Sequence, residues 1–450
     1  MKSSALDMTR GNPRSLLLNF ALPLMLGSFF QQMYSFVDTA IVGRGIGVTA
    51  LSAVGVTGSV NFVIMGFTMG SAIGFTILIS QSVGVQRQGD VNSFFWNGLY
   101  VCCGMGMVLS LGVSPFVRPI LKMMNTPSEL LDLAVIYLTI MVLGALPSVL
   151  YNYFAGVLRA FGDSRRPFYF LLISSLCNVV LDLIFILVFH WGVAGAAIAT
   201  VLSQTLSAVL SCWWIFGKMK AIEAKGQTAL SMGHIRKMCA VGLPLGLESS
   251  VTSIGFLLLQ RSINTLGAVA AAAQVCGEKI RHIATIPCDS LGTAMSTYVG
   301  QNFGAKQIDR IKEGIKGGML IQLVVCIGTW LILVLLDAPL VGMLLGETGS
   351  PEALGAIQYL NIVSALFLLQ GTMKVLRAII QGMGFGGWAF GSGVMEIFGR
   401  MIGGALAVSF GSFTLICLSN PMAWGFAMVY CWFVSKSLLR KKEREFASIV

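Results

Sequence analysis

An aspartate lies in the middle of the first long apolar run of the chain. This run, residues 16–44, is long enough to cross a bilayer as one helix, for which about 20 apolar residues suffice. A carboxylate at that depth costs about 2.5–3.5 kcal/mol to insert, so we expect Asp38 to face a cavity or a partner. Gln31, Tyr34 and Asp38, with Ser35, share one helical face. This polar stripe predicts an ion or proton site on an aqueous pathway; a polar contact between helices is the alternative.

A second acid, Asp182, lies within a later apolar run. Asn178 precedes it by one helical turn and shares its face, and Thr200 and Gln204 have the same spacing in the next run. Carboxylate, amide and hydroxyl oxygens can hold a monovalent cation or share one proton. Spacing alone does not bring Asp38 and Asp182 together, and hydrogen bonding between helices also accounts for these polar groups.

The composition is that of a polytopic membrane protein. Of 450 residues, 56% are hydrophobic and 11% are charged, whereas soluble proteins are about 25% charged. Twelve apolar segments are long enough to be transmembrane helices, joined by short connections. These segments are 16–42, 50–80, 93–115, 131–156, 168–190, 193–216, 237–262, 269–299, 317–337, 354–378, 388–409 and 412–436.

The basic residues predict the orientation. Most of the 30 Lys and Arg residues lie in the N-terminal tail, in the connections that follow even-numbered segments, and in the C-terminal tail. This asymmetry predicts that both termini are cytoplasmic. The same asymmetry accounts for the net charge of +11, so the charge does not indicate a nucleic-acid-binding protein.

The two halves of the chain repeat each other. Three pairs of stretches match at offsets of roughly 220 residues. Because six membrane crossings return the chain to its starting side, the two repeats have the same orientation in the membrane. The matches are 21–23 (ALP) with 242–244 (GLP), 80–84 (SQSVG) with 300–304 (GQNFG), and 157–160 with 375–378 (both VLRA). We predict an all-α fold of two pseudo-symmetric six-helix bundles, residues 1–216 and 237–450, joined by a basic cytoplasmic linker at 217–236.

The second half does not repeat the acids of the first. At the offset of the VLRA match, Asn178 corresponds to Glu396 and Asp182 to Arg400. Glu396 and Arg400 are one helical turn apart and of opposite sign, so they can neutralise each other. We therefore predict an ion-coupling site in the first half and a structural or gating pair in the second.

Other charged residues in the second half are candidates for substrate contact. Lys279 and Asp289 lie in the eighth segment, and Glu248 lies four residues after Pro244. The alternative for the eighth segment is a polar helix face whose charges neutralise each other. Glu248 could attract a cationic substrate.

Enzyme chemistry is not expected. The sequence has no P-loop, HExxH motif, nucleophile elbow or Gly-rich Rossmann opening. Its ten cysteines form no CxxC pair and no Cys/His cluster, so neither a disulfide framework nor a zinc site is predicted. No cofactor is expected beyond a coupling ion, Na⁺ or H⁺.

Several stretches together resemble the multidrug and toxic compound extrusion (MATE) family, and most of all its bacterial branch related to DinF and MepA. The stretches are ALPLMLGSFFQQMYSFVDTAIVGR, ALSAVG, GVLRAFGDSRRP, GLPLGLESS, STYVGQNFGA and LSNPMAW. The resemblance covers nearly the whole chain. It implies two six-helix bundles around a cleft that alternates between the membrane faces, and efflux of organic, often cationic, compounds against inward Na⁺ or H⁺.

The resemblance also implies site residues. The family's first-lobe ion site matches Asp38, Asn178, Asp182 and Thr200, with Gln31, Tyr34 and Tyr137 as neighbours. Some relatives also use acids on helices 7 and 10, but helix 10 has no clear counterpart here. The second VLRA segment, VLRAIIQGMGFGGW, lacks the proline of the first.

We therefore expect a multi-pass antiporter of the cytoplasmic membrane that is embedded in the lipid bilayer, works as a monomer and has small organic molecules as substrates. A lipid-linked precursor flippase of the same superfamily is the alternative, although unpaired intramembrane acids disfavour an anionic substrate. A membrane-embedded enzyme and a passive channel are further alternatives.

Overall fold

The computed structural model describes residues 6–221 and 230–448, which fold into α-helices with no β-strand among them. In a bilayer every backbone N–H and C=O must be paired within the chain, and helices achieve this locally. The helices are α1 (Pro13–Gly45), α2 (Val48–Val85), α3 (Gln88–Val113), α4 (Val117–Met123), α5 (Ser128–Leu143), α6 (Ala145–Ala160), α7 (Arg165–Asp182), α8 (Gly192–Ala221), α9 (Met232–Asn264), α10 (Ala268–Ala284), α11 (Ile286–Gly304), α12 (Ile308–Leu345), α13 (Pro351–Ala365), α14 (Phe367–Gly382), α15 (Gly386–Phe410) and α16 (Phe413–Ala447).

The predicted all-α membrane fold is confirmed. Within the described residues, 9 helices are long and apolar enough to cross a membrane, and two bent pairs raise the number to 11. The pairs are α5 with α6, bent by 45°, and α13 with α14, bent by 50°. The eighth predicted segment, 269–299, falls on α10 and α11, and neither of these helices is in this apolar set.

The chain forms two compact units, and two of its helices are divided between them. Unit 1 comprises Met1–Asp7 and Leu26–Gly246, and unit 2 comprises Met8–Met25 and Leu247–Val450. Thus α1 belongs to unit 2 up to Met25, and α9 belongs to unit 1 up to Gly246. The predicted linker falls partly on residues 222–229, which lie outside the described residues, so the predicted lobe boundaries stay a prediction.

A proline precedes each passage between the units. Pro23 lies inside α1 and Pro244 inside α9, each just before the residue at which the helix changes unit. Because proline removes one intrahelical hydrogen bond, both helices are locally weakened there. The two prolines are also the paired positions of the ALP/GLP repeat in the sequence.

Each unit has its own apolar core. In unit 1, the fully buried rings of Phe75, Phe95 and Tyr153 pack together, and the Tyr153 hydroxyl donates to the Phe95 carbonyl at 2.7 Å. In unit 2, Phe367 and Trp424 pack with a ring-centroid separation of 6.3 Å. A separate core for each unit is what independent domains require.

We predict that Gly74→Ala destabilises unit 1. A Cβ at Gly74 would overlap the Gly242 backbone, including its nitrogen at 3.0 Å, because α2 and α9 lie close together there. Overpacking of this kind costs about 1–3 kcal/mol, so the thermal unfolding midpoint in detergent should fall.

Gly58→Ala on the same helix is the matched control, because nothing lies within 4 Å of a Cβ there. Its thermal unfolding midpoint should be unchanged or higher than that of wild type, since alanine favours helix more than glycine does. Equal midpoints for the two variants would contradict the close approach.

Candidate ion site

Two acids from different helices meet in unit 1. Asp38 lies on α1 and Asp182 is the last residue of α7, and their carboxyl groups are within hydrogen-bonding reach of each other. Asp182 is fully buried and Asp38 is partly buried. Because an ionised carboxylate has no donor, two of them in this position repel each other unless a proton or a cation lies between them. The pair is therefore suited to binding one positive charge.

Asn178 orients Asp182. With its amide placed to satisfy both neighbours, Asn178 Nδ2 donates to Asp182 Oδ2 at 3.0 Å, and Asn178 Oδ1 accepts from the Thr200 backbone N–H at 3.2 Å. In contrast, the Oδ1 atoms of Asp38 and Asp182 are buried and receive no hydrogen bond from the described residues. Buried acceptors without donors are rare in proteins. These two oxygens are where a proton or a cation would bind.

Three hydroxyl groups surround the two acids. Thr200 Oγ1 donates to the Ala196 carbonyl at 3.0 Å, so the lone pairs of its oxygen are available to accept. The Tyr34 hydroxyl lies beside that of Thr200, and Tyr34 and Tyr137 are close enough to both carboxylates to interact with their charge. Gln31 is exposed on α1, and no contact within the described residues joins it to this cluster.

Close packing holds α1 against the end of α7. A π-helical turn, Leu183–Val188, follows Asp182 directly, and such turns often occur at functional sites. A Cβ at Gly45 would lie 2.8 Å from the Ile186 side chain, so α1 can approach this turn only because residue 45 is glycine. Tyr137 joins the same apolar cluster as Ile186. This close approach brings the end of α1 beside the turn that follows Asp182.

The groups around the two acids are hard oxygen ligands. Across residues 6–221 and 230–448, no three His, Cys, Asp or Glu side chains converge as a metal site would require. Two carboxylates, one amide and hydroxyl oxygens are hard ligands with at most two negative charges. Na⁺ or H⁺ satisfies this chemistry.

Unit 2 neutralises its buried acids with arginine. Arg377 pairs with Glu248 at 2.9 Å and also with Glu396, and Arg400 pairs with Glu396 at 2.8 Å. All four residues are at most 7% exposed. The ion pair between Glu396 and Arg400 that the sequence suggested is present, and Arg377 also pairs with Glu396.

A second ion pair joins this network through an amide. Arg281 pairs with Glu278 at 2.5 Å. Asn420 donates to Glu278 at 2.8 Å and accepts from Arg400 Nε at 3.1 Å. The Tyr359 hydroxyl also donates to Glu278, at 2.7 Å. Three glutamates and three arginines thus balance each other in one buried network.

The residues proposed for substrate contact lie in different surroundings. Glu248 is 4% exposed and bound to Arg377, so its charge is already compensated. Asp289 pairs with Lys374 at 2.7 Å, and both side chains remain partly exposed. Lys279 is exposed. Roles for Lys279 and Asp289 in substrate contact stay predictions.

Sequence reasoning missed Arg377 and Asn420. Arg377 stands in the repeated VLRA tetrapeptide, and Asn420 stands in LSNPMAW. A guanidinium in an apolar segment requires a counter-charge. That requirement is the signal in the sequence that would have indicated an acidic partner for Arg377.

Comparison with known families supports the repeat. The MatE family model matches the chain twice, over residues 23–184 and 244–390, which together are more than half of its length. The two matches begin at Pro23 and Pro244, the paired prolines of α1 and α9.

Individual relatives cover most of the chain. It is 27% identical over 383 residues to the probable multidrug resistance protein YpnP of Bacillus subtilis, covering 84% of this chain and 85% of the relative. It is 25% identical over 335 residues to the probable multidrug resistance protein NorM of Thermotoga maritima, covering 73% and 71%. The structure of a MOP superfamily transporter from Pyrococcus furiosus has the same fold, with a TM-score of 0.90, 20% identity, and coverage of 98% of this chain and 99% of that one.

We predict that Arg377→Met strongly destabilises the protein. The change leaves Glu248 and Glu396 buried with only one arginine, Arg400, at hand. Removing one partner from a buried ion pair costs about 3–5 kcal/mol. Thermal unfolding in detergent should show a large drop in the midpoint.

The double variant Glu248→Gln/Arg377→Met restores the balance, because one glutamate then faces one arginine. Its midpoint should recover most of the loss. A double variant as unstable as Arg377→Met would show that charge balance does not hold this network together.

Proposed function

The chain belongs to the MatE family, and we propose that it is a secondary active antiporter of the cell membrane. It exports small organic compounds, often cationic drugs or toxic metabolites, in exchange for Na⁺ or H⁺. The exchange proceeds by alternating access of the two lobes, with both termini in the cytoplasm and one chain as the working unit. The names of YpnP and NorM, both probable multidrug resistance proteins, support this class of substrate.

The observation that carries the proposal is the contrast between the two sets of buried acids. Asp38 and Asp182 face each other with no arginine or lysine in an ion pair with either one among the described residues. Glu248, Glu278 and Glu396 of unit 2 are instead bound to arginines. Burying unpaired acids is unfavourable. A site that takes up and releases a positive charge in each cycle gives these acids a function.

The geometry supports a coupling role for α1. Without a bound charge, repulsion between Asp38 and Asp182 drives α1 away from α7; one proton or cation removes the repulsion. Since α1 contributes residues to both units and contains Pro23 where it passes between them, its displacement can involve either unit. Ion binding and the position of α1 are then one equilibrium, which is the requirement for coupling.

Both Na⁺ and H⁺ fit the donor set. Sodium would use the carboxylate oxygens together with Asn178 and Thr200, whereas a proton would be shared between Asp38 and Asp182. The two cases differ in which gradient drives transport, so one experiment separates them.

We predict that Asp38→Asn and Asp182→Asn each reduce coupled export to background. Purified protein in liposomes loaded with ethidium is given a Na⁺ gradient or a pH gradient separately, and dye movement is followed by fluorescence. Wild type should respond to one gradient, which names the coupling ion. An amide cannot supply the second negative charge, so neither variant should respond.

Asp132→Asn is the matched control, because Asp132 is 75% exposed and pairs with Arg118 away from the acids. It should transport like wild type. Coupled transport that survives in Asp38→Asn would contradict the site. No dye movement under either gradient would contradict the substrate class and would favour the lipid-linked precursor alternative.

A further inference from the structure

The C-terminal end of α16 carries an exposed basic face that the transport site does not use. Lys436, Arg440 and Arg444 recur every four residues, so they share one side of the helix, and Lys441 lies next to them. All four side chains are exposed. Within the described residues, none of them forms an ion pair.

The nearby acids are bound to other lysines. Glu443 pairs with Lys312 at 2.5 Å, and Glu445 pairs with Lys442 at 2.5 Å. Glu443 is therefore directed to Lys312, whereas Glu445 still offsets part of the positive charge of Lys441. The face presents a surplus of positive charge with several N–H donors still available.

The basic face borders a shallow groove of about 670 Å³, and the residues that line it all lie on α16. Trp432 and Phe433 line the same groove one turn earlier on α16, and they are 46% and 62% exposed. The Lys436 ammonium lies 4.7 Å from the Trp432 ring centroid. Cationic donors at one end and aromatic rings at the other match a ligand that is anionic at one end and apolar at the other.

We propose that this groove binds the headgroup of an anionic phospholipid. Arg440, Lys441 and Arg444 hold the phosphate, and Trp432 and Phe433 contact the first carbons of the acyl chains. Clusters of Lys and Arg next to a membrane span attract anionic lipid, and tryptophan is enriched at the membrane–water boundary. A free phosphate ion would use the basic residues but would gain nothing from the aromatic ones, so the lipid is the better fit.

The test is lipid binding by the purified full-length protein, measured by native mass spectrometry with phosphatidylglycerol or phosphatidylcholine added. Wild type should retain phosphatidylglycerol selectively. Each basic residue near an anionic surface contributes roughly fivefold to affinity, so Arg440→Gln/Lys441→Gln/Arg444→Gln should weaken binding by roughly 100-fold.

The matched control removes three exposed basic residues from unit 1, in the variant Arg87→Gln/Arg165→Gln/Lys237→Gln. It should bind phosphatidylglycerol like wild type. Equal losses in both triple variants would overturn the proposal, because net charge alone would explain them. Equal retention of the two lipids by wild type would also overturn it.

Two further measurements complete the test: lipid binding by a Glu445 variant and competition with inorganic phosphate. Glu445→Gln removes the acid that lines the groove and should tighten phosphatidylglycerol binding by roughly fivefold, a gain that misfolding cannot mimic. Unchanged or weaker binding in this variant would overturn the proposal, even if the triple variant were not recovered folded. Displacement of the lipid by millimolar inorganic phosphate would identify a soluble anion as the ligand instead.

Discussion

The cost of burying charge in an apolar environment governs this structure. The chain meets that cost in two ways. In unit 2, each buried glutamate is bound to an arginine, and amide and hydroxyl groups satisfy the remaining oxygens. In unit 1, Asp38 and Asp182 have only each other and neutral neighbours. The first arrangement needs no further charge, whereas the second is the place where the proposed coupling ion would bind.

The same scaffold supports both arrangements. Equivalent segments supply Asn178 and Asp182 in one unit and Glu396 and Arg400 in the other, so two substitutions replace one half of the candidate ion site with an internal ion pair. The surrounding packing serves each purpose: Gly45 allows α1 to approach the turn after Asp182, and Arg377 ties α14 to α9 and α15. At these two positions the repeat keeps a polar residue but changes its charge.

Much of the candidate site was predictable from the sequence because its polar residues are sparse. In apolar runs, an aspartate or an asparagine stands out, and the spacing of Asn178 and Asp182 places them on one helical face. The meeting of Asp38 with Asp182 was not predictable from spacing, since it depends on how α1 packs against α7. The partners of Arg377 were also missed, because Glu248 and Glu396 come from two other helices. The apolar pattern did not predict two helix breaks, one between α5 and α6 and one between α13 and α14.

The most direct test of the central claim is infrared spectroscopy of the purified protein in Na⁺-free buffer near neutral pH. If Asp38 and Asp182 share one positive charge, wild type should show a protonated carboxyl signal that disappears when Na⁺ is added or the pH is raised. The double variant Asp38→Asn/Asp182→Asn should lack this signal, because the glutamates of unit 2 are bound to arginines and stay ionised. A signal that persists in the double variant, or its absence from wild type, would contradict the shared charge.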